Sequence, residues 1–136
     1  MLRTIIAVAA VILAISPAIA AGDPAAGEIV FKKCMSCHAV GDGAKNKVGP
    51  VLNGVFGRTA GTFDFNYSKA MKDAGAGGLV WTPETVHEFI AKPRDFVKGT
   101  KMSFPGLPDP QDEENVIAYL LTFSPEFVPP PPPPAQ

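Results

Sequence analysis

The sequence predicts an all-α fold of short helices joined by long loops, and three observations support this. A capping residue followed by proline opens an unbroken run three times, at Asp23-Pro24, Thr82-Pro83 and Asp109-Pro110; the first residue satisfies a helix N-terminus and the second is preorganised for its opening turn. No stretch alternates apolar and polar residues over a useful strand length. Between positions 41 and 62 the chain is punctuated by Gly41, Gly43, Gly49-Pro50, Gly54, Gly57 and Gly61, so this segment reads as connected turns.

Taken in order, Met1-Leu2-Arg3 carries one positive charge, Thr4 to Ile15 is almost wholly apolar, and Ser16-Pro17 precedes Ala18-Ile19-Ala20. That layout is a signal peptide cleaved after Ala20, since the apolar run falls short of the roughly 20 residues that span a bilayer. Residues 1–20 are thus expected to leave, 21–124 to form the domain, and 125–136 to be a proline-rich tail. A first helix is expected from about Pro24 to Met35. A short one follows from Ser68 to Ala74, ended by Gly75 to Gly78. A third runs from Thr82-Pro83 to Ala91, where Pro93 forces an exit. The last begins at Asp109-Pro110, with Asp112, Glu113 and Glu114 where the helix dipole favours anions. Val116, Ile117, Leu120 and Leu121 recur in it at helical spacing until Ser124-Pro125. Six prolines, Pro129 to Pro134, read as a stiff polyproline II tail.

The chain has 136 residues, of which 46% are hydrophobic, 18% charged and 9% aromatic, with 13 Gly and 15 Pro. This is one small domain, thin in core-forming side chains. A formal net charge of −1 excludes the strongly basic footprint of a nucleic-acid binder. Two cysteines in one short motif cannot build a disulfide framework.

That motif is Cys34-Met35-Ser36-Cys37-His38. Residues three and four apart share a helix face, so both thiols and the imidazole can point the same way from the end of the first helix. Thiols that add across porphyrin vinyl groups, beside an imidazole that reaches iron, make a covalent haem c attachment site. A redox disulfide would need a βαβ context, and zinc would need more ligands than the one remaining histidine, His87. A covalently held macrocycle also supplies the apolar surface that a loop-rich chain lacks. For the second axial ligand the candidates are Met71, His87 and Met102. Met71 reads as an apolar gap-filler and His87 as an exposed, partly charged mid-helix residue. Met102 lies in Lys98-Gly99-Thr100-Lys101-Met102-Ser103-Phe104-Pro105-Gly106, whose Gly and Pro can lay backbone across the far face of the ring. Met/His ligation raises the reduction potential and leaves iron no vacant site, so the inference is electron transfer, not catalysis.

These residues resemble a class I c-type cytochrome, closest to the bacterial cytochromes c2 that are related to mitochondrial cytochrome c. The resemblance covers about residues 23 to 123 and rests on CMSCH, Val48-Gly49-Pro50, Gly57-Arg58-Thr59, Trp81, and Gly99-Thr100-Lys101-Met102 with Phe104. It implies a cytochrome c fold wrapped around one haem c, with thioethers at Cys34 and Cys37 and axial ligands His38 and Met102. It further implies that Pro50 accepts a hydrogen bond from the other nitrogen of His38. By the same resemblance Arg58, Tyr67 and Trp81 hold a buried propionate, and Thr100 makes another polar haem contact. Gly27 and Phe31 would meet Val116 and Tyr119 where first and last helices cross. Phe89 departs from the family, standing where many relatives place a tyrosine, and the proline tail lies outside its pattern.

Between Lys32 and Lys101 there are eleven Lys and Arg against six Asp and Glu, while the flanks from Asp23 carry seven acidic residues and no basic one. Lys33, Lys45, Lys47, Lys92, Lys98 and Lys101 are candidates for a basic face that steers acidic partners. The reading is a monomeric periplasmic shuttle docking transiently on membrane complexes. Its donor would resemble a cytochrome bc1 complex, and its acceptor a terminal oxidase or a photosynthetic reaction centre. The rivals are a peroxidase-type enzyme or ligand sensor with Met102 off the iron, and a dedicated donor to one periplasmic dehydrogenase or reductase.

Overall fold

Four of the five helices in the computed structural model, which describes residues 21–130, begin on a side-chain cap. Helix α1 (Pro24–Phe31) starts at Asp23, whose carboxylate accepts from Ala25 N at 2.9 Å. Helix α2 (Lys69–Ala76) starts at Ser68, which accepts from Met71 N at 3.0 Å. Helix α3 (Pro83–Ala91) opens with Thr82 and Thr85 capping each other's backbone, and α5 (Pro110–Leu121) repeats the aspartate cap at Asp109. The fifth, α4 (Pro93–Phe96), has no side-chain cap. Among the described residues there is no strand, only an isolated antiparallel bridge between Thr59 and Val80, and no helix is long and apolar enough to cross a membrane. The signal-peptide expectation, and the tail beyond Pro130, lie outside the described residues.

Three helix expectations need correction. Helix α1 stops at Phe31 instead of running to Met35: Cys34 N bonds Phe31 O at 2.8 Å, Cys37 N bonds Cys34 O at 3.1 Å, and His38 N bonds the same oxygen at 2.9 Å. The motif therefore sits on hydrogen-bonded turns beyond the helix, where i→i−3 bonds tighten the backbone. Pro93 does end α3, but it also founds α4, because a residue without an N–H suits a helix start. Helix α2 extends two residues past Ala74 to Ala76.

The main helix contact is α1 against α5. A Cβ on Gly27 would stand 1.9 Å from Asn115 O and 2.7 Å from Tyr119 Cβ, so the backbones touch where the side chain is missing. Tyr119 is the neighbour expected at this crossing, and Asn115 O adds a second close approach. Phe31 packs on Tyr119 with ring centroids 5.5 Å apart, and Asp23 N donates to Asn115 Oδ1 at 2.9 Å. Phe31, Val116, Ile117 and Leu120 join Val55, Phe56, Trp81, Phe89 and Leu107 in one buried cluster.

A polar joint ties α3 to α5. His87 is not the exposed residue expected: its side chain is 32% exposed and its Nε2 lies 2.9 Å from Glu113 Oε2 and 3.6 Å from Glu114 Oε1. Glu113 itself is buried, and its Oε2 faces His87 Nε2 without hydrogen-bond alignment. Burial holds the Glu113 carboxyl above its ordinary value of 4.5, against the opposing pull of His87 and with the help of Glu114 and Asp109.

A Gly27→Ala substitution is expected to lower unfolding free energy by about 3 kcal/mol in guanidinium titration, since helix backbone must move. Gly77→Ala, at a right-handed φ of −78° with only ordinary contacts near, is expected to be neutral to within about 0.5 kcal/mol. Glu113 generates a pH dependence of definite sign. Its folded-state pKa is raised, so above about pH 4.5 the folded chain binds more protons than the unfolded one, and stability falls as pH rises through that window. Denaturation between pH 4 and 7 should show wild type losing stability relative to Glu113→Gln.

Candidate functional site

The nine candidate side chains fall into three groups that border the same apolar cluster. The first is built on the turns after α1. Cys34 and Cys37 are both free thiols and half-buried. Burial pushes Cys34 up to about 11, against Lys33 and with a small contribution from Cys37. A thiol so firmly protonated is unsuited to disulfide exchange, which needs a thiolate.

His38 Nδ1 lies 2.8 Å from Pro50 O. A carbonyl only accepts, so Nδ1 carries the proton and Nε2 keeps its lone pair. Burial lowers the His38 pKa below 6.5, with Lys47 in the same direction and the Pro50 bond opposing, so the ring is a neutral, metal-competent imidazole at pH 7. Segment 49–52 is held against the motif by Gly49 N on Cys37 O at 2.8 Å and Leu52 N on Ala39 O at 3.1 Å. A Cβ on Gly49 would come within 2.5 Å of His38 Cε1, so the glycine makes room for the ring.

The second group surrounds Arg58. Its guanidinium donates to Val51 O at 3.2 Å and Asn53 O at 2.7 Å, and lies 4.1 Å over the Phe63 ring. The Tyr67 hydroxyl is its side-chain partner, and burial raises Tyr67 and lowers Arg58 from their ordinary values. Trp81 is brought alongside through the backbone: its N donates to Arg58 O at 2.9 Å, and Gly57 N donates to Trp81 O at 2.7 Å. The Trp81 ring is buried on Phe89, centroids 5.0 Å apart, and Phe89 in turn meets Phe96.

The third group is the loop after α4. Thr100 N bonds Val97 O at 3.0 Å, and Thr100 Oγ1 accepts from Met102 N at 3.2 Å, shaping the turn that presents Met102. Met102 is half-buried against the apolar cluster, and Met71 is wholly inside it.

Two residues of the site region carry no sequence motif. Asn53 clamps Gly41 through both its N–H and its carbonyl, at 2.8 and 2.9 Å. Asn46 accepts from Val51 N at 2.9 Å and donates to Asp64 O at 2.7 Å. The only signal was asparagine within a glycine-rich loop, a residue that readily satisfies nearby backbone.

A family model described as cytochrome c matches residues 24–124. The chain belongs to the cytochrome c family. It is 54% identical over 101 residues to cytochrome c2 of Agrobacterium tumefaciens, covering 74% of this chain and 91% of that one. To cytochrome c2 of Blastochloris viridis it is 50% identical over 111 residues, 81% and 84% of the two chains. The solved structure of cytochrome c2 from Rhodospirillum centenum superposes with a TM-score of 0.73 at 48% identity, covering 76% of this chain and 99% of that chain. For cytochrome cH from Methylobacterium extorquens the TM-score is 0.68 at 43% identity, covering 74% and 99%. The chain is therefore an electron carrier, not an enzyme, with one covalently attached haem c and the all-α cytochrome c fold.

The residues fit that cofactor. Two free thiols stand three apart beside a neutral imidazole whose tautomer leaves Nε2 as the donor. Among the described residues no Asp or Glu pairs with the half-buried Arg58. A guanidinium partly out of water without a counter-charge suits a propionate.

Proposed function

We propose that this cytochrome shuttles single electrons through the periplasm with Cys34 and Cys37 as thioether sites and His38 Nε2 and Met102 Sδ as the axial pair. The observation that carries the ligand assignment is the 2.8 Å contact between His38 Nδ1 and Pro50 O. It commits one ring nitrogen to the backbone, fixes the ring plane, and leaves the other nitrogen for metal, as partners of metal-bound imidazoles do. When bound, the haem iron supplies a ferric–ferrous couple, which a thioether ligand biases toward the reduced state. The protein's part is to hold both ligands still. Arg58, Tyr67 and Trp81 are assigned to one propionate, and Thr100 to the edge near Met102, where its oxygen already accepts from the Met102 backbone.

The route of the electron is proposed from charge. Lys33, Lys45, Lys47, Lys92, Lys98 and Lys101 are all exposed. Lys47 Nζ donates to Met35 O inside the cysteine motif, and Lys101 Nζ donates to Asn66 O at 3.2 Å one residue before Met102. Both ligand segments thus have a cation beside them, which suits brief docking on acidic surfaces of a bc1-type donor and of an oxidase or reaction-centre acceptor. The domain organisation that goes with this is a removed leader over 1–20, the electron-transfer domain over 21–124 and the proline tail over 125–136.

Met102→Ala tests the ligand pair. The ferric protein should lose its sulfur-to-iron charge-transfer band, the potential should fall, and the ferrous form should bind carbon monoxide. Carbon monoxide binding by the unaltered ferrous protein would instead place Met102 off the iron. For docking, the second-order rate with an acidic membrane partner is expected to drop about tenfold or more from low to high ionic strength. A rate indifferent to salt would remove the basic face from the mechanism.

A further inference from the structure

The Pro50–Val51 peptide unit is hydrogen-bonded at both ends. Its carbonyl, Pro50 O, is 2.8 Å from His38 Nδ1, and its N–H, on Val51, donates to Asn46 Oδ1 at 2.9 Å. Neighbouring groups of the same segment bond backbone or Arg58: Gly49 N to Cys37 O, Val51 O to Arg58, Leu52 N to Ala39 O. The N–H opposite the His38 bond is the one given a side-chain acceptor. The orientation of that amide is not arbitrary. Val51 N can only donate and Asp64 O can only accept, so Oδ1 must face the first and Nδ2 the second, 2.7 Å away.

We propose that Asn46 is a positioning residue for the redox centre, acting through the Pro50–Val51 peptide to set how electron-rich the iron-facing nitrogen of His38 is. An acceptor on the peptide N–H draws the amide toward its charge-separated form and loads the carbonyl oxygen. The loaded oxygen binds the Nδ1 proton more strongly, and the imidazole gains imidazolate character at Nε2. Serial hydrogen bonds strengthen one another in this way by about 10–30% per bond. A more basic ligand favours ferric iron, so Asn46 holds the potential down. No proton is transferred and no group changes its charge state. The second hydrogen bond of Asn46, to Asp64, ties the loop at 41–50 to the bend at 62–66 and keeps Oδ1 in line. This inference rests on His38 being an axial ligand.

The test uses the full holoprotein with Asn46→Ala, which removes the acceptor, and Asn46→Asp, which keeps it and makes it anionic. Midpoint potentials are measured near 1 M ionic strength, where the Debye length is about 3 Å and the direct field of an exposed aspartate is screened. Asn46→Ala should raise the potential, move the His38 Nδ1 proton upfield in the reduced protein, and strip exchange protection from the Val51 amide. Asn46→Asp should lower the potential and move the same proton downfield. A residue that only clamps the loop would shift both variants the same way, or leave the Nδ1 proton where it is, and either result overturns the proposal. Hyperfine-shifted His38 ring protons in the ferric protein report ligation independently of Asn46. Their absence would sink the ligand assignment, whereas their presence with unmoved potentials would sink the relay alone.

Discussion

The hydrogen bond from His38 Nδ1 to the Pro50 carbonyl constrains most of what surrounds it. It requires the ring to lie against segment 49–52, and a Cβ at position 49 would collide with the ring, so a glycine stands there. It also requires the Pro50 oxygen to face the cysteine motif, and two flanking backbone bonds, from Gly49 to Cys37 and from Leu52 to Ala39, hold it there. Proline contributes by having no N–H of its own to satisfy in this close-packed place. The placement of the His38 ring is thus set by a length of backbone pinned at both sides, more than by any rigid helix.

Arg58 extends the same support outward. By donating to Val51 O and Asn53 O it secures the end of the segment that carries Pro50, and through Trp81 N it joins the isolated bridge region to the ring stack of Trp81, Phe89 and Phe96. Among the described residues no carboxylate stands beside it, which leaves its charge without an acidic partner. One residue therefore braces both the segment that positions His38 and the aromatic stack. Phe89 takes part in this arrangement through its ring contacts with Trp81 and Phe96.

Much of the helical layout could be read in advance because caps and prolines are local. Thr82-Pro83 to Ala91 reads as a helix and α3 occupies Pro83–Ala91; the same holds for the start of α5 at Pro110. Where helix gives way to tighter turns is not local in this sense. Lys32 to Cys37 contains nothing that breaks a helix, yet α1 ends at Phe31, since the chain must turn to bring His38 to Pro50. His87 reads as a surface residue on its own helix, and its partner Glu113 is 26 positions away on another element. Asn46 and Asn53 were silent for a similar reason: what they bind is backbone 5 to 18 residues distant, which no motif encodes. Of the site, the motif residues were legible because covalent attachment needs a set spacing, while the polar scaffold behind them follows from tertiary closure.

The contact between α1 and α5 links Asp23 to Asn115 across 92 positions. Bringing such distant segments together carries a large loop-closure entropy that must be overcome before the packing at Gly27 and Tyr119 gives anything back. During biosynthesis the cysteine pair emerges early and the helix that seals against its neighbour emerges last. The chain therefore has a built-in interval in which the attachment residues are already present and the enclosing clasp is still open, an order of events well matched to loading a bulky planar group before the door shuts.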